Sequence, residues 1–129
     1  MPSFFTDAAL RCHCGCDLLR LHPGFRSRLD TLRERLAAPM VPTSCCRCRQ
    51  YNTQIGGHSK SLHIGDYPQQ PLLEGTAAID IATPDGTYRG RLFSAAWELG
   101  WSVGWNAKKG FLHLDRRDFA GLAQTSFDY

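Results

Sequence analysis

The chain contains no long apolar run, because polar or charged residues interrupt its hydrophobic residues every few positions. A membrane-spanning helix needs about 20 consecutive apolar residues, so the sequence predicts no membrane span. The first seven residues have neither a basic region nor an apolar core, and they therefore lack the features of a secretory signal. If the target lies outside the cytoplasm, we expect the protein to reach it by another route.

The excess of positive over negative charge is also small. The 15 basic and 12 acidic residues leave a net charge of only +3. This charge is compatible with an anionic polymer but is too weak to indicate a nucleic-acid-binding protein. With 129 residues, 43% hydrophobic and 21% charged, the composition suits one globular domain. We expect this single domain to span residues 1–129, with no separate second module.

Six cysteines form two groups that are well separated along the chain: Cys12, Cys14, Cys16, Cys45, Cys46 and Cys48. Three interpretations remain open at this point. The two groups meet in a structural metal site, for example Cys12 and Cys16 with Cys45 and Cys48. Alternatively, they form one or more disulfides, or they are free buried thiols.

The spacing of apolar residues predicts an α+β fold with a small antiparallel sheet and helices packed on one side of it. Helical periodicity covers residues 23–38 and 88–99. Alternation of apolar and polar residues predicts strands over 75–82, 101–105 and 111–115. Residues 40–44 suggest a short strand, residues 50–63 a short helix followed by a loop, and residues 64–74 an irregular excursion rich in glycine and proline.

Two histidines and one aspartate stand out as candidate metal ligands. His63 ends the stretch SLH, Asp80 lies in AIDI, and His113 lies in FLHLD. Two imidazoles and one carboxylate would leave a tetrahedral Zn²⁺ ion with one open position, which is the arrangement that a hydrolytic zinc site needs.

The stretch from Arg47 to His63 resembles the zinc D-Ala-D-Ala carboxypeptidase family, the peptidase M15 group, which includes phage endolysins. Besides His63, the matching positions are Arg47, Asn52, Gly56, Gly57 and Ser61. The resemblance extends over about residues 5–118 and implies a Hedgehog/D-Ala-D-Ala-peptidase-like fold with one Zn²⁺ ion held by His63, Asp80 and His113. Asp80 follows His63 at a longer interval than in the family, because residues 64–74 resemble an insertion.

The resemblance also implies roles for residues that touch the substrate. Arg47 matches an arginine that lies near the substrate carboxylate, and a guanidinium pairs well with a carboxylate. Ser61 matches a serine that contacts substrate or supports the first histidine ligand.

The sequence matches the family less well at the position of the catalytic base, the residue that accepts a proton from water. Relatives carry a proton-accepting residue shortly before the last ligand, but Gly110 and Phe111 occupy these positions here and neither accepts a proton. Asp115 shares a strand face with His113, so it is our candidate catalytic base, with orientation of His113 as an alternative role. Asp66 and Glu74 are further candidates.

The resemblance implies a zinc metallopeptidase that acts as a monomer on the D-amino-acid-containing peptide of bacterial peptidoglycan, as a carboxypeptidase or an endolysin-like endopeptidase. We expect it to be made in the cytoplasm, to act at the cell wall or periplasm, and to be encoded by a phage or prophage. A non-catalytic zinc-binding interaction module on the same scaffold, as in the Hedgehog signalling domain, is the alternative. A cysteine-rich module that binds nucleic acid is disfavoured by the weak charge.

Overall fold

A computed structural model describes residues 2–66 and 72–129 and has the α+β architecture that the sequence predicts. In chain order its elements are α1 (Asp7–Leu10), α2 (Phe25–Leu36), β1 (Pro42–Ser44), α3 (Arg49–Gln54), β2 (Ala78–Ala82), α4 (Gly86–Glu98), β3 (Ser102–Asn106), β4 (Phe111–Asp115), a 3₁₀ helix (Arg117–Ala120) and β5 (Ser126–Asp128). The strands form one sheet in the order β1-β2-β4-β3-β5, antiparallel except for the β3–β5 pair.

The two long helices begin and end close to their predicted bounds. Helix α2 is flanked by Gly24 and Ala37, which both have left-handed backbone conformations. Helix α4 begins earlier than predicted because the Asp85 side chain accepts a hydrogen bond from the Tyr88 amide and so caps the first turn. No helix in the described part of the chain is long and apolar enough to cross a membrane.

Strands β2 and β4 divide the molecule into a core face and a polar face, as the predicted alternation requires. On one face, buried leucine and isoleucine side chains pack against α2 and α4 in a single hydrophobic cluster that includes Ile79, Ile81, Leu112 and Leu114. The residues between them, including Asp80 and His113, therefore point to the opposite face. The helices that form the core thus leave the other side of the sheet for polar groups.

Three features depart from the predicted elements. Helix α1 and strand β5 were not predicted, and β5 adds a parallel edge strand next to β3. The strand predicted over 75–82 begins only at Ala78, although Thr76 forms an isolated bridge with Leu21. The predicted excursion over 64–74 lies partly outside the described residues, since residues 67–71 are not among them.

The core makes a direct prediction about stability. Leu32 of α2 is fully buried in the hydrophobic cluster, so Leu32→Ala should lower the free energy of unfolding by about 2–5 kcal/mol through lost burial and a residual cavity. Val41→Ala is the control, because Val41 is 60% exposed and its truncation should change stability by less than about 0.5 kcal/mol. Urea denaturation measures both, and equal effects of the two substitutions would contradict this core assignment.

Candidate metal centre

Three polar side chains converge on the polar face of the sheet. Nε2 of His63 lies 3.2 Å from Oδ1 of Asp80 and 3.3 Å from Nδ1 of His113. The same Oδ1 lies 3.1 Å from Nδ1 of His113. All three side chains are buried, so the structure brings together the three residues that the sequence singled out as candidate metal ligands.

Hydrogen bonds on the far side of each ring fix which nitrogen carries the proton. Nδ1 of His63 lies 2.7 Å from the carbonyl oxygen of Cys45, which only accepts, so Nδ1 carries the hydrogen and donates it. Likewise, Nε2 of His113 donates to Oδ2 of Asp115 over 2.8 Å. In the neutral rings, the nitrogens that face Asp80 are therefore unprotonated.

This arrangement has the donor set of a metal site. When both rings are neutral, two nitrogen lone pairs and a carboxylate oxygen face one another, which is unfavourable unless a metal ion or a proton lies among them. A tetrahedral ion with bonds of about 2.0 Å to nitrogen and oxygen separates its ligand atoms by about 3.3 Å. The observed separations of 3.1–3.3 Å match that requirement. The residues present therefore fit a bound metal ion.

Strand pairing and a local loop position the three ligands. Asp80 of β2 lies directly opposite His113 of β4 in the antiparallel register, so the two side chains are cross-strand neighbours on one face of the sheet. His63 precedes the bridge between Ile64 and Arg47. Its carbonyl accepts hydrogen bonds from the Arg47 amide (2.9 Å) and the Thr76 hydroxyl (2.8 Å), which fix its backbone beside the sheet.

Burial and charge shift the pKa values of all three groups. Burial lowers the pKa of His63, since a charged imidazolium is poorly solvated there. Burial also lowers the pKa of His113, but hydrogen bonds to Asp115 and Asp80 outweigh it and raise that pKa overall. For Asp80, burial raises the pKa, but the two histidines outweigh it and hold the pKa of this carboxyl well below its usual range. Asp80 is therefore ionised, as a metal ligand must be.

Asp115 is buried and accepts four hydrogen bonds. Oδ2 accepts from Nε2 of His113 and Nη2 of Arg117, both at 2.8 Å. Oδ1 accepts from the Arg117 amide at 3.1 Å and from Nε of Arg117 at 3.0 Å. Burial raises the pKa of Asp115, but these bonds outweigh it and lower the pKa overall. The carboxylate is thus aimed at His113 and engaged on both oxygens.

Arg47 lies beside the three ligands and is almost fully buried. Its Nη2 contacts Oδ2 of Asp80 at 3.4 Å, its Nε donates to the Ser44 hydroxyl, and its Nη1 donates to the side chain of Asn52. The Tyr129 side chain also interacts with the guanidinium by a hydrogen bond, so Arg47 contacts Ser44, Asn52, Asp80 and Tyr129. Ser61, the other predicted substrate-binding residue, accepts a hydrogen bond from the His63 amide at 3.2 Å and also lines the cleft described next.

A cleft of about 1200 Å³ opens onto this site. Arg47, Asp80, His113 and Asp115 line its inner end. Its walls carry aromatic rings and basic side chains, namely Trp105, Phe111, Phe127, Tyr129, His58, Lys60, Lys108, Lys109 and Arg117. The chain has three lysines in all, and every one of them lines this cleft.

Tyr129 is a cleft residue that the sequence reasoning did not single out. Its ring stacks on His113 with the centroids 4.3 Å apart, and its amide donates to the Trp105 carbonyl. Gly104 makes this stacking possible, because a Cβ there would lie 2.8 Å from Phe127 and 2.9 Å from Tyr129. No sequence signal marks this contact, since it depends on the parallel pairing of β5 with β3.

The alternative proton acceptors lie elsewhere. Asp66 accepts a hydrogen bond from the Arg49 amide at 2.8 Å. The Glu74 amide donates a hydrogen bond to Nδ1 of His22 at 3.1 Å. Neither is among the described residues that line the cleft or that surround His63, Asp80 and His113. His58, which no sequence motif singled out, does line the cleft.

The six cysteines are all free, so none of them forms a disulfide in this structure. Cys45 and Cys46 are buried, and Sγ of Cys46 donates to the Arg20 carbonyl at 3.8 Å. The other four lie close together, and this group contains Cys14 in the place where the sequence example had Cys45.

Comparison with known families identifies the chain. The family model described as Peptidase M15 matches residues 5–115, which is most of the chain. The chain therefore belongs to the peptidase M15 family and is a metallopeptidase domain by family. A search among curated proteins gave no match.

The hydrogen bond from His113 to Asp115 predicts a metal-affinity effect. Asp115→Asn should weaken Zn²⁺ binding by about 10–100-fold, because the neutral amide holds the ring less firmly and makes its nitrogen a weaker donor. Competition against a chromophoric chelator measures the affinity. Asp118→Asn is the control, since Asp118 pairs with Arg116 outside the site. Unchanged affinity in Asp115→Asn would refute the supporting role of Asp115.

Proposed function

We propose that this member of the peptidase M15 family is a zinc-dependent peptidase that hydrolyses D-amino-acid-containing peptide bonds of bacterial peptidoglycan. The observation that carries the proposal is the convergence of His63, Asp80 and His113 beside a large cleft: Asp80 and His113 line the cleft, and Nε2 of His63 lies 3.2–3.3 Å from them. A buried ligand set that meets an open cleft is the arrangement of a catalytic metal site, whereas a structural site is closed by a fourth protein ligand.

The ligand set favours zinc. Two imidazole nitrogens and one carboxylate oxygen at tetrahedral spacing suit Zn²⁺ and leave one position for water or substrate. When bound there, the ion supplies Lewis-acid activation of water and of the scissile carbonyl.

The cleft favours an anionic peptide. Asp80 and Asp115 neutralise Arg47 and Arg117 through ion pairs. Lys60, Lys108 and Lys109 are exposed, and none of the ion pairs among the described residues involves them. The cleft is therefore positively charged, and its aromatic walls offer apolar contacts. Peptidoglycan peptides combine free carboxylates with small apolar side chains, which fits both features.

Arg47 is the residue that we propose binds a substrate carboxylate close to the reacting bond. Its hydrogen bonds to Ser44, Asn52 and Asp80 hold the guanidinium plane in place, and this planar group suits two-point binding of a carboxylate. Ser61 supports the loop that carries His63 and contacts substrate from the same wall.

We propose that Asp115 positions His113 rather than accepting the proton of the attacking water. Its four hydrogen bonds and its lowered pKa make it a weak proton acceptor. Its carboxylate instead keeps the proton on Nε2 of His113 and so leaves Nδ1 free for the metal.

One observation favours a second candidate function, a non-catalytic zinc-binding module. Asp80 and Asp115 are the carboxylates among the described cleft-lining residues, and both are engaged by Arg47, His113 or Arg117. A cleft without a free carboxylate base also suits a non-catalytic zinc-binding module that recognises the same peptide. For either function we propose a monomer that acts at the bacterial cell wall or periplasm and is encoded by a phage or prophage.

Hydrolysis of peptidoglycan separates the two functions. Zinc-loaded protein should release soluble fragments from purified Gram-negative peptidoglycan, and mass spectrometry should identify the bond that is cut. His63→Ala should reduce the rate to background because it removes a metal ligand, whereas His13→Ala, an exposed histidine outside the cleft, should retain full activity. Binding of peptidoglycan without any cleavage would instead support the non-catalytic module.

The three lysines predict a charge-dependent KM. Lys108→Gln with Lys109→Gln should raise KM for an acidic peptide several-fold and leave kcat nearly unchanged, because these charges attract substrate without touching the reacting bond. Added salt should reduce the difference between this variant and the wild type. Arg20→Gln removes an exposed positive charge outside the cleft and should leave KM unchanged. Equal KM values in all three proteins would rule out a role for Lys108 and Lys109.

A further inference from the structure

Four cysteines from distant parts of the chain meet at a second place in the molecule. Cys12, Cys14 and Cys16 follow α1, and Cys48 immediately precedes α3. Their four sulfur atoms all lie within 4.8 Å of one another. Cys12 and Cys48 are buried, whereas Cys14 and Cys16 are exposed at the protein surface.

The sulfur separations are those of metal ligands rather than of disulfides. Sγ of Cys14 lies 3.5 Å from Sγ of Cys12 and 3.7 Å from Sγ of Cys48. A disulfide bond brings two sulfurs to about 2.05 Å, much closer than either pair. A tetrahedral Zn²⁺ ion with Zn–S bonds of about 2.3 Å separates its sulfur ligands by about 3.8 Å.

The backbone around the cluster donates hydrogen bonds to two of the sulfurs. The Cys48 amide lies 3.3 Å from Sγ of Cys12, and the Tyr51 amide lies 3.3 Å from Sγ of Cys48. Amide donors stabilise the negative charge of a thiolate, which is the form that binds a metal.

A tight turn returns Cys14 and Cys16 to the cluster. Gly15 between them has a φ of +92°, and Asp17 after them has a φ of +62°. Glycine adopts a positive φ freely, and aspartate does so more readily than most other residues, so both positions suit a tight turn. The Cys12 amide closes this turn by donating to the Leu18 carbonyl at 2.9 Å.

We propose that Cys12, Cys14, Cys16 and Cys48 bind a second, structural Zn²⁺ ion. Four thiolates form a closed tetrahedral set with no open position, which suits a structural ion and not a catalytic one. The ion ties the turn at residues 12–16 to the start of α3. Because Cys48 directly follows Arg47, the same ion fixes the backbone beside the guanidinium that contacts Asp80.

Measuring the zinc content of the His63→Ala variant distinguishes this site from the catalytic one. Protein purified under reducing conditions should contain two zinc ions per wild-type chain and one per His63→Ala chain. Adding Cys14→Ser to His63→Ala should remove the remaining ion, whereas adding Cys46→Ala should not, because Cys46 is a buried thiol outside the cluster. These counts do not depend on peptidase activity.

Cobalt substitution tests the ligands directly. Co²⁺-loaded His63→Ala protein should show intense sulfur-to-metal charge-transfer absorption and tetrahedral d–d bands. Cys16→His should retain one ion with a weaker charge-transfer band, since three thiolates and one imidazole also form structural sites. A metal-free His63→Ala protein, iron in place of zinc, or a disulfide among the four cysteines in the protein as purified would each overturn the proposal.

Discussion

The antiparallel pairing of β2 with β4 places Asp80 directly opposite His113, and the rest of the site depends on that register. The same two strands supply Ile79, Ile81 and Leu114 to the core on the other face. Because successive residues of a strand point to opposite faces, a slip of one residue would turn Asp80 or His113 into the hydrophobic core and move core side chains to the polar face. The free energy of core packing therefore also maintains the geometry of the metal centre, and neither is independent of the other.

His63 is the ligand that the sheet does not supply, and a loop held by several hydrogen bonds delivers it. Its ring donates to the Cys45 carbonyl, and its own carbonyl is held by Arg47 and Thr76. The Arg47 side chain also forms an ion pair with Oδ2 of Asp80, so one buried network of contacts connects the loop to the sheet. Such preorganisation matters for a hydrolytic metal, because each ligand must keep its position while the open site exchanges water and substrate. The cysteine cluster adjoins this network at Cys48.

Much of the fold could be predicted from the sequence, and so could the residues of the candidate site, because the strands and the motifs that carry these residues are local patterns. Alternation within FLHLD places His113 and Asp115 on one face, and the SLH motif marks His63. The departures involve contacts between distant segments. Strand β5 joins the sheet beside β3 in parallel, so no turn signal announces it, and the stacking of Tyr129 on His113 was missed with it. Cys14 takes the place expected for Cys45 because the turn at Gly15 redirects the chain, a conformation that spacing alone does not specify.

The central claim is that His63, Asp80 and His113 hold one metal ion at the inner end of the cleft. A crystal structure of the zinc-loaded protein, with anomalous diffraction recorded at the zinc absorption edge, tests it most directly. We expect an anomalous peak in contact with Nε2 of His63, Oδ1 of Asp80 and Nδ1 of His113, with Asp115 bound to His113 and not to the ion. A density map without a peak at that position, or a peak coordinated by Asp115 in place of Asp80, would contradict the claim.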